Sequence, residues 1–133
     1  MNKELIYTLI ERARNSYDHA YCPLTSNPEG ASVLVEDHEG KTIIIGACNV
    51  ETTMINIDAG ELAMMKALSE GMTKFLAICF FCERGMPYPS GRFLQFAAEF
   101  NGMFDIVVAN NDTYSLHKLH DLLPIRKIYN EDA

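Results

Sequence analysis

Apolar positions in the first half of the chain change from a helical period to a strand pattern. Near the N-terminus, five apolar residues recur at helical spacing: Leu5, Ile6, Leu9, Ile10 and Ala13. They predict an amphipathic helix over roughly residues 2–18. The segment "YCPLTSNPEG" follows, and its two prolines and glycine predict an ordered loop. "ASVLVEDHEGKTIIIGACNV" then has two apolar runs around residues 37–40, the pattern of a β-hairpin.

The second half alternates helix and strand patterns. "DAGELAMMKALSEG" predicts a helix in which Asp58 caps the N-terminus, Glu61 completes a capping box and Gly71 ends the element. "KFLAICFF" is a continuous apolar run, which is typical of a central strand covered on both faces. "SGRFLQFAAEF" predicts a third helix with Ser90 as N-cap and the pair at 101–102, Asn-Gly, as its stop.

The last elements complete a layered fold. "FDIVVAN" predicts a fourth strand, "TYSL" a short fifth strand, and "HKLHDLLP" a helical turn ended by Pro124. The hairpin strands must be antiparallel, whereas strands joined through a helix are most economically parallel. The order therefore predicts an α/β protein, a three-layer α/β/α fold with a mixed five-stranded sheet, as one domain over residues 1–133.

Charge and cysteine usage narrow the function classes. A net charge of -7 and a pI near 5.0 argue against a protein that grips a nucleic-acid backbone. No apolar stretch is long enough to span a bilayer, and the charged N-terminus is unlike a signal peptide, so we expect a cytoplasmic protein with reduced thiols. Cys79 and Cys82 lie three apart on a predicted strand and point to opposite faces, so we interpret them as buried core thiols and not as a metal pair.

Several segments carry a family pattern in a shared order. The loop segment contributes Ala20, Tyr21, Pro23, Gly30 and Ala31, and "GACNVE" contributes Gly46, Asn49, Val50 and Glu51. "KALSEG" ends the second helix, "PSGRFLQ" has the spacing of a Pro-Cys-Gly-x-Cys-Arg-Gln loop, and "HDLLP" closes the pattern. In these segments the chain resembles the small cytidine deaminase family, which includes blasticidin-S deaminase.

The resemblance implies a zinc enzyme on nucleosides. In the family, one Cys or His and two Cys hold zinc at helix N-termini, the metal activates water, and a Glu two residues beyond the first ligand shuttles protons. The small members assemble as tetramers. The resemblance also implies that Asn49 and Glu51 bind ribose hydroxyls, and that Asn27 and Glu29 stand where an aromatic residue and a Val line the base pocket.

The zinc positions depart from the family. An ungapped alignment puts Asp58 at the first ligand and Gly60 at the proton-shuttling Glu. A slip of one residue would instead put Ala59 at the ligand and Glu61 at the shuttle. We prefer the ungapped register, because a slip of one residue turns the helix by about 100° and moves its buried face.

The second motif has only one register. Ser90 and Phe93 stand at the two remaining ligand positions, and Leu94 replaces the adjacent Arg. Ser is a poor zinc ligand and Phe is none. We therefore expect no metal and no zinc cofactor at these degenerate positions.

Three hypotheses follow for the function. The favoured one is a nucleoside-like ligand-binding or regulatory protein that has lost deamination, with Asn27, Asn49 and Glu51 at the ligand. The second is a metal-independent enzyme of the same family, a hydrolase on C–N bonds in which Asp58 or Glu61 acts as general acid or base. The third is a structural subunit, either homo-oligomeric or paired with an active deaminase. For the chain itself we expect a homo-oligomer, a tetramer as in the small family members.

Some of these residues also have plain structural interpretations. Asp58 and Ser90 make good helix caps without any chemistry, and Asn49 and Glu51 could pair within a sheet edge. If the ligand interpretation holds, binding should depend on ribose hydroxyls and discriminate little among bases, because the aromatic wall is absent at Asn27.

Overall fold

A computed structural model describes residues 1–124 of the chain. Its helices are α1 (Lys3–Tyr17), α2 (Ala59–Ser69), α3 (Gly91–Ala98) and α4 (Leu119–Leu122). Its strands are β1 (Gly30–Glu36), β2 (Thr42–Cys48), β3 (Val50–Glu51), β4 (Asn56–Ile57), β5 (Lys74–Phe81), β6 (Asp105–Ala109) and β7 (Tyr114–Lys118). The predicted helices, hairpin and apolar strands are therefore present, with boundaries within a few residues.

The main sheet has five strands in the order β2-β1-β5-β6-β7. β1 is antiparallel to both β2 and β5, β5 is parallel to β6, and β7 returns antiparallel to β6. The predicted mixed five-stranded sheet is thus confirmed, and the two strands joined through α3 are parallel as expected. β3 and β4 form a separate two-stranded sheet that was not predicted, because two-residue strands are too short to show a period.

Helices cover both faces of this sheet. α1 packs on one face through the four buried residues Ile6, Leu9, Ile10 and Ala13. α2 and α3 cover the other face, where Phe80 and Ile78 of β5 point, while Cys79 and Phe81 point toward α1. This two-sided burial explains why β5 reads as a continuous apolar run.

The helix ends are set by local hydrogen bonds. Asn2, Asp58 and Ser90 each accept a backbone N–H from the residue three positions on, which confirms the predicted caps of α2 and α3. α2 ends at Gly71, whose φ of +84° few other residues adopt, and the Met72 N–H then closes on the Ala67 carbonyl.

The structure corrects two predictions, one near the C-terminus and one after β5. The helical turn predicted for "HKLHDLLP" would include both His117 and His120, but His117 lies on β7 and only His120 lies on α4. The reason is the edge strand, which is longer than "TYSL" because its pairing with β6 continues to Lys118. Cys82, predicted as a buried thiol, lies just beyond β5 and is only half-buried.

No helix within residues 1–124 is long and apolar enough to cross a membrane.

Four chain segments meet at one edge of the sheet, the one formed by the carboxyl ends of β2, β5 and β6. They are the starts of α2, α3 and β1 and the loop of residues 21–29. β2 and β5 run in the same direction, since both are antiparallel to β1, and β6 follows that direction as well. The N-termini of α2 and α3 therefore lie at the edge where these strands end and where β1 begins. The loop of residues 21–29 enters β1 at the same edge, which is where open α/β sheets bind ligands.

Candidate functional site

Two helix N-termini meet at this edge. Asp58 caps α2 by accepting the Glu61 N–H at 2.6 Å. The Glu61 carboxylate is almost fully buried and lies 3.1 Å from the guanidinium of Arg92 at the start of α3. This ion pair joins the first turns of the two helices, and Arg92 was not singled out from the sequence because an exposed Arg on a helix carries no distinctive pattern.

An aromatic contact fills the space between the two helices. The rings of Phe80 and Phe93 are both buried and meet edge to face with centroids 5.0 Å apart. Both rings lie against Gly60. A Cβ added at Gly60 would stand 2.5 Å from Cζ of Phe80 and 2.9 Å from Cε1 of Phe93. The position aligned with the family's proton-shuttling Glu therefore has no room for a side chain.

The side chains at the degenerate ligand positions do not fit a zinc ion. Ser90 uses its oxygen to accept the Phe93 N–H at 3.1 Å, and Asp58 uses Oδ1 on the Glu61 N–H. Phe93 offers no donor atom, and zinc requires three or four N, S or O donors. Among residues 1–124, no group of three or more His, Cys, Asp or Glu side chains is placed to hold a metal ion.

The predicted ribose-binding residues contact the loop of residues 21–29. Asn49 is buried, accepts the Glu29 N–H through Oδ1 at 2.8 Å and donates through Nδ2 to the Asn27 carbonyl at 2.9 Å. Both hydrogen-bonding functions of this amide are thus used within the chain. Asn49 holds the part of the loop that carries Asn27 and Glu29.

Glu51 holds the middle of the same loop. Its Oε1 accepts the N–H groups of Leu24 and Thr25 at 2.6 and 2.7 Å, and its Oε2 accepts the Thr25 hydroxyl at 2.8 Å. Desolvation alone would raise the pKa of Glu51, but these bonds from Thr25 and Leu24 lower it. Glu51 also lies in β3 opposite Asn56 of β4, in the separate two-stranded sheet, whereas Asn49 lies between β2 and β3.

Glu29 connects the loop to α2. Its backbone N–H is bound by Asn49, and its Oε1 accepts the Ala59 N–H at the start of α2, 3.1 Å away. Burial raises the pKa of Glu29 to about 7, the Ala59 N–H lowers it, and the nearby Asp58 raises it further. In the sequence, Glu29 stands out only as a departure from the family. The available signal was an acidic residue directly before the mainly apolar strand β1.

Asp58 is the second carboxyl with a shifted pKa. Burial raises the pKa of Asp58 to about 6, the Glu61 N–H opposes this, and the Glu61 carboxylate adds to the rise. Two carboxyls that exchange protons near neutral pH thus lie at the N-terminus of α2. Such groups are suited to general acid–base chemistry if a ligand reaches them.

A cavity of about 480 Å³ opens beside this cluster. Its lining comprises residues of the loop, the end of α1 and the segment after β5: Tyr17, Ser26, Asn27, Pro28, Glu29, Cys82, Glu83, Arg84 and Pro87. Its volume lies within the range of small-molecule sites. Asn27 and Glu29, the two positions aligned with the family's base pocket, both face it.

The structure therefore gathers the predicted residues into two connected groups. Asn27, Asn49 and Glu51 belong to the loop and its hydrogen bonds. The second group lies where α2 and α3 begin: Asp58, Glu61, Ser90 and Phe93. Glu29 joins the two groups through Asn49 and Ala59.

Comparison with known proteins gives consistent relatives, although no family model matches the chain. The cytidine deaminase of Sporosarcina psychrophila is 33% identical over 106 residues, which cover 77% of this chain and 75% of that protein. The probable cytidine deaminase of Dictyostelium discoideum is 33% identical over 129 residues, which cover 93% of this chain and 84% of that protein.

Solved structures agree in fold. The crystal structure of cytidine deaminase from Burkholderia pseudomallei has a TM-score of 0.82 at 27% identity, covering 96% of this chain and all of that one (100%). The crystal structure of cytidine deaminase from Mycobacterium tuberculosis has a TM-score of 0.72 at 24% identity, covering 90% of this chain and 94% of that one. The latter likeness concerns the fold alone.

Proposed function

This chain belongs to the cytidine deaminase family, and we propose that it is a nucleoside-binding member that has lost zinc-dependent deamination. The observation that carries the proposal is the buried ring of Phe93, which lies against Gly60 where the first turns of α2 and α3 meet. A ligand position and the proton-shuttle position are changed together, and the absence of a side chain at Gly60 leaves the space that the Phe93 ring fills.

The ligand-binding half of the proposal rests on the loop and its cavity. Asn49 and Glu51 keep the loop of residues 21–29 closed over the sheet edge, and the cavity of about 480 Å³ beside it has the size of a nucleoside site.

A second candidate is metal-independent acid–base chemistry on the same family of substrates. The specific observation in its favour is the carboxyl pair of Asp58 and Glu61, since the pKa of Asp58 is raised to about 6. Their role as general acid and base is a proposal that needs a ligand within reach of α2.

We further propose a cytoplasmic homotetramer that binds neither nucleic acid nor membrane. α2 and α3 are rich in apolar residues, which would suit assembly, but Met64, Phe93 and Leu94 are buried within the chain. Met65 remains partly exposed, and the tetramer is proposed mainly from the family resemblance. Light scattering at micromolar concentration tests it, and a monomer would contradict it.

The test of lost deamination combines metal analysis with an ultraviolet assay of cytidine conversion. We expect no stoichiometric zinc and no conversion, while the Sporosarcina psychrophila protein, purified in the same way, serves as the reference. One zinc per chain, or steady loss of cytidine absorbance, would overturn the proposal. Conversion without zinc, abolished in Asp58→Asn or Glu61→Gln, would instead establish the metal-independent enzyme.

A further inference from the structure

The cavity of about 480 Å³ has a partly buried carboxyl in its wall whose hydrogen-bonding capacity is only partly used. Oε1 of Glu29 accepts the Ala59 N–H at 3.1 Å, which fixes the carboxyl in place. Within residues 1–124, no cationic side chain forms an ion pair with it. Oε2, and the second lone pair of Oε1, therefore remain available to a ligand in the cavity.

The other charged or polar groups of the cavity have partners or are exposed. The Tyr17 hydroxyl donates to Oε1 of Glu83 at 3.4 Å, and the Cys82 thiol donates to the Arg84 carbonyl at 2.8 Å. The side chains of Glu83 and Arg84 are exposed to solvent. Glu29 is thus the anchored carboxyl of this cavity and the one for which a ligand would be the missing partner.

We propose that Glu29 binds a planar ligand edge with two adjacent N–H donors, as the ring N–H and amino group of a guanine-type base provide. An ionised carboxylate only accepts hydrogen bonds, and it pairs bidentately with an amidine-type edge. The corresponding edge of neutral cytosine has an unprotonated ring nitrogen beside its amino group. This nitrogen is an acceptor, so it would face one of the two Glu29 carboxylate oxygens with no hydrogen between them. The inference rests on the proposed nucleoside-binding function and specifies the base.

This inference changes an expectation drawn from the sequence. The sequence predicts little discrimination among bases, because an aromatic wall is missing at Asn27. The structure adds an anchored carboxyl two residues further on, and a site built to pair with N–H donors rejects ligands that lack them, since its acceptors then stay unpaired. Selectivity thus comes from polar pairing at Glu29 and not from stacking.

Two matched ligand pairs test the inference by calorimetry at pH 8. Guanosine and inosine differ by the amino group, and benzamidine and benzamide differ by the amidine edge without any ribose. We expect guanosine to bind about tenfold or more tightly than inosine, and benzamidine more tightly than benzamide. Glu29→Gln should remove both preferences, whereas Glu39→Gln, which removes a charge from the exposed hairpin turn outside the cavity, should leave them within about twofold.

The outcomes separate the inference from the function on which it rests. Equal affinities within each pair, or preferences unchanged in Glu29→Gln, would overturn the inference even if nucleosides bind. Benzamidine binding that depends on Glu29, with no nucleoside bound at all, would support the inference and overturn the nucleoside function. If Glu29→Gln does not fold, the two ligand ratios on the wild-type chain still decide the question.

A pH series gives an independent readout. Ionised Glu29 is the binding form, so guanosine affinity should fall about tenfold per pH unit below its pKa of about 7. The charged or titratable groups around it are Asp58 at the start of α2, Cys82, Glu83 and Arg84 after β5, and Tyr17 of α1. The slope should vanish in Glu29→Gln and persist in Glu39→Gln, and a slope that survives in Glu29→Gln would count against the inference.

Discussion

Two regions lie at the same sheet edge but are stabilised differently. One is the loop anchored by Asn49 and Glu51, and the other is the junction between the first turns of α2 and α3. The loop is held by hydrogen bonds to buried polar side chains whose residue types match the family. The helix junction combines the ion pair of Glu61 with Arg92 and apolar packing of Phe93 against Gly60. The packing occupies positions where the family has polar or metal-binding residues. Under the proposed function, the chain keeps the loop that would face a ligand, while the positions of the family's reaction centre become part of the core.

The largest expected effect is the loss of the aromatic ring at the helix junction. Phe93→Ala should lower the free energy of unfolding by about 3–5 kcal/mol, because the ring is fully buried between Gly60 and Phe80. Urea denaturation measures this, with Phe96→Ala as the control, since Phe96 lies on the same helix but is only partly buried. A loss below about 1 kcal/mol would mean that the junction is not packed as described.

The second prediction concerns Glu29, the carboxyl that connects the loop of residues 21–29 to the start of α2. The pKa of Glu29 is raised to about 7 in the folded chain, so its contribution to stability is present below its ordinary value of 4.5 and is lost as the pH rises through 7. Glu29→Gln does not titrate. It should match the wild type near pH 4.5 and be more stable by about 2–3 kcal/mol at pH 8.

Denaturation of both chains at several pH values between 4.5 and 8 measures this difference. Glu83→Gln, in the exposed part of the same cavity, should show no comparable pH-dependent gain. A wild-type chain that is more stable than Glu29→Gln at pH 8 would reverse the sign and refute the raised pKa.

Long apolar patterns with clear caps were predictable from the sequence, because one buried face imposes its period over many residues. The caps Asp58 and Ser90 act within four residues and were correctly assigned. β3 and β4 were missed because two residues carry no period, and His117 was misplaced because the pairing of β7 with β6 extends the strand.

The candidate site was predictable as a set of residue types but not as a set of contacts. Asn49 and Glu51 were identified by resemblance, yet their partners at Leu24, Thr25 and Glu29 depend on how a loop folds back over the sheet. The contact of Gly60 with Phe93 depends on the packing of α2 against α3. No local pattern encodes such distances between residues 20 to 30 positions or more apart in the chain.

The third prediction sharpens the packing side of the comparison at Gly60. Ala at an exposed helix position is favoured over Gly by up to about 1 kcal/mol, but here the added Cβ would meet Phe80 and Phe93 at less than 3 Å. We expect Gly60→Ala to destabilise the chain by about 1–3 kcal/mol through overpacking.

Gly91 provides the matched control, because it begins α3 and a Cβ there meets nothing within 4 Å. Gly91→Ala should be neutral or stabilising. In the double variant Gly60→Ala with Phe93→Ala, the loss should be smaller than the sum of the two single losses, since the cavity accepts the new methyl group. Additive losses would show that the two positions do not share one space.

The smallest expected effect tests the hydrogen-bonded side. Glu51→Gln keeps the shape of the side chain but removes the negative charge of the carboxylate. The oxygens of that carboxylate accept the N–H groups of Leu24 and Thr25 and the Thr25 hydroxyl. Because these bonds hold a surface loop and not the core, we expect thermal unfolding to change little while the loop opens more often. Amide hydrogen exchange should be faster by about tenfold or more at residues 24 and 25 and unchanged in β5.

Glu39→Gln, in the exposed hairpin turn, is the charge-matched control and should leave exchange at residues 24 and 25 unaltered. If exchange accelerates equally throughout the chain, Glu51 stabilises the whole fold, and the distinction between a hydrogen-bonded loop and a packed helix junction does not hold.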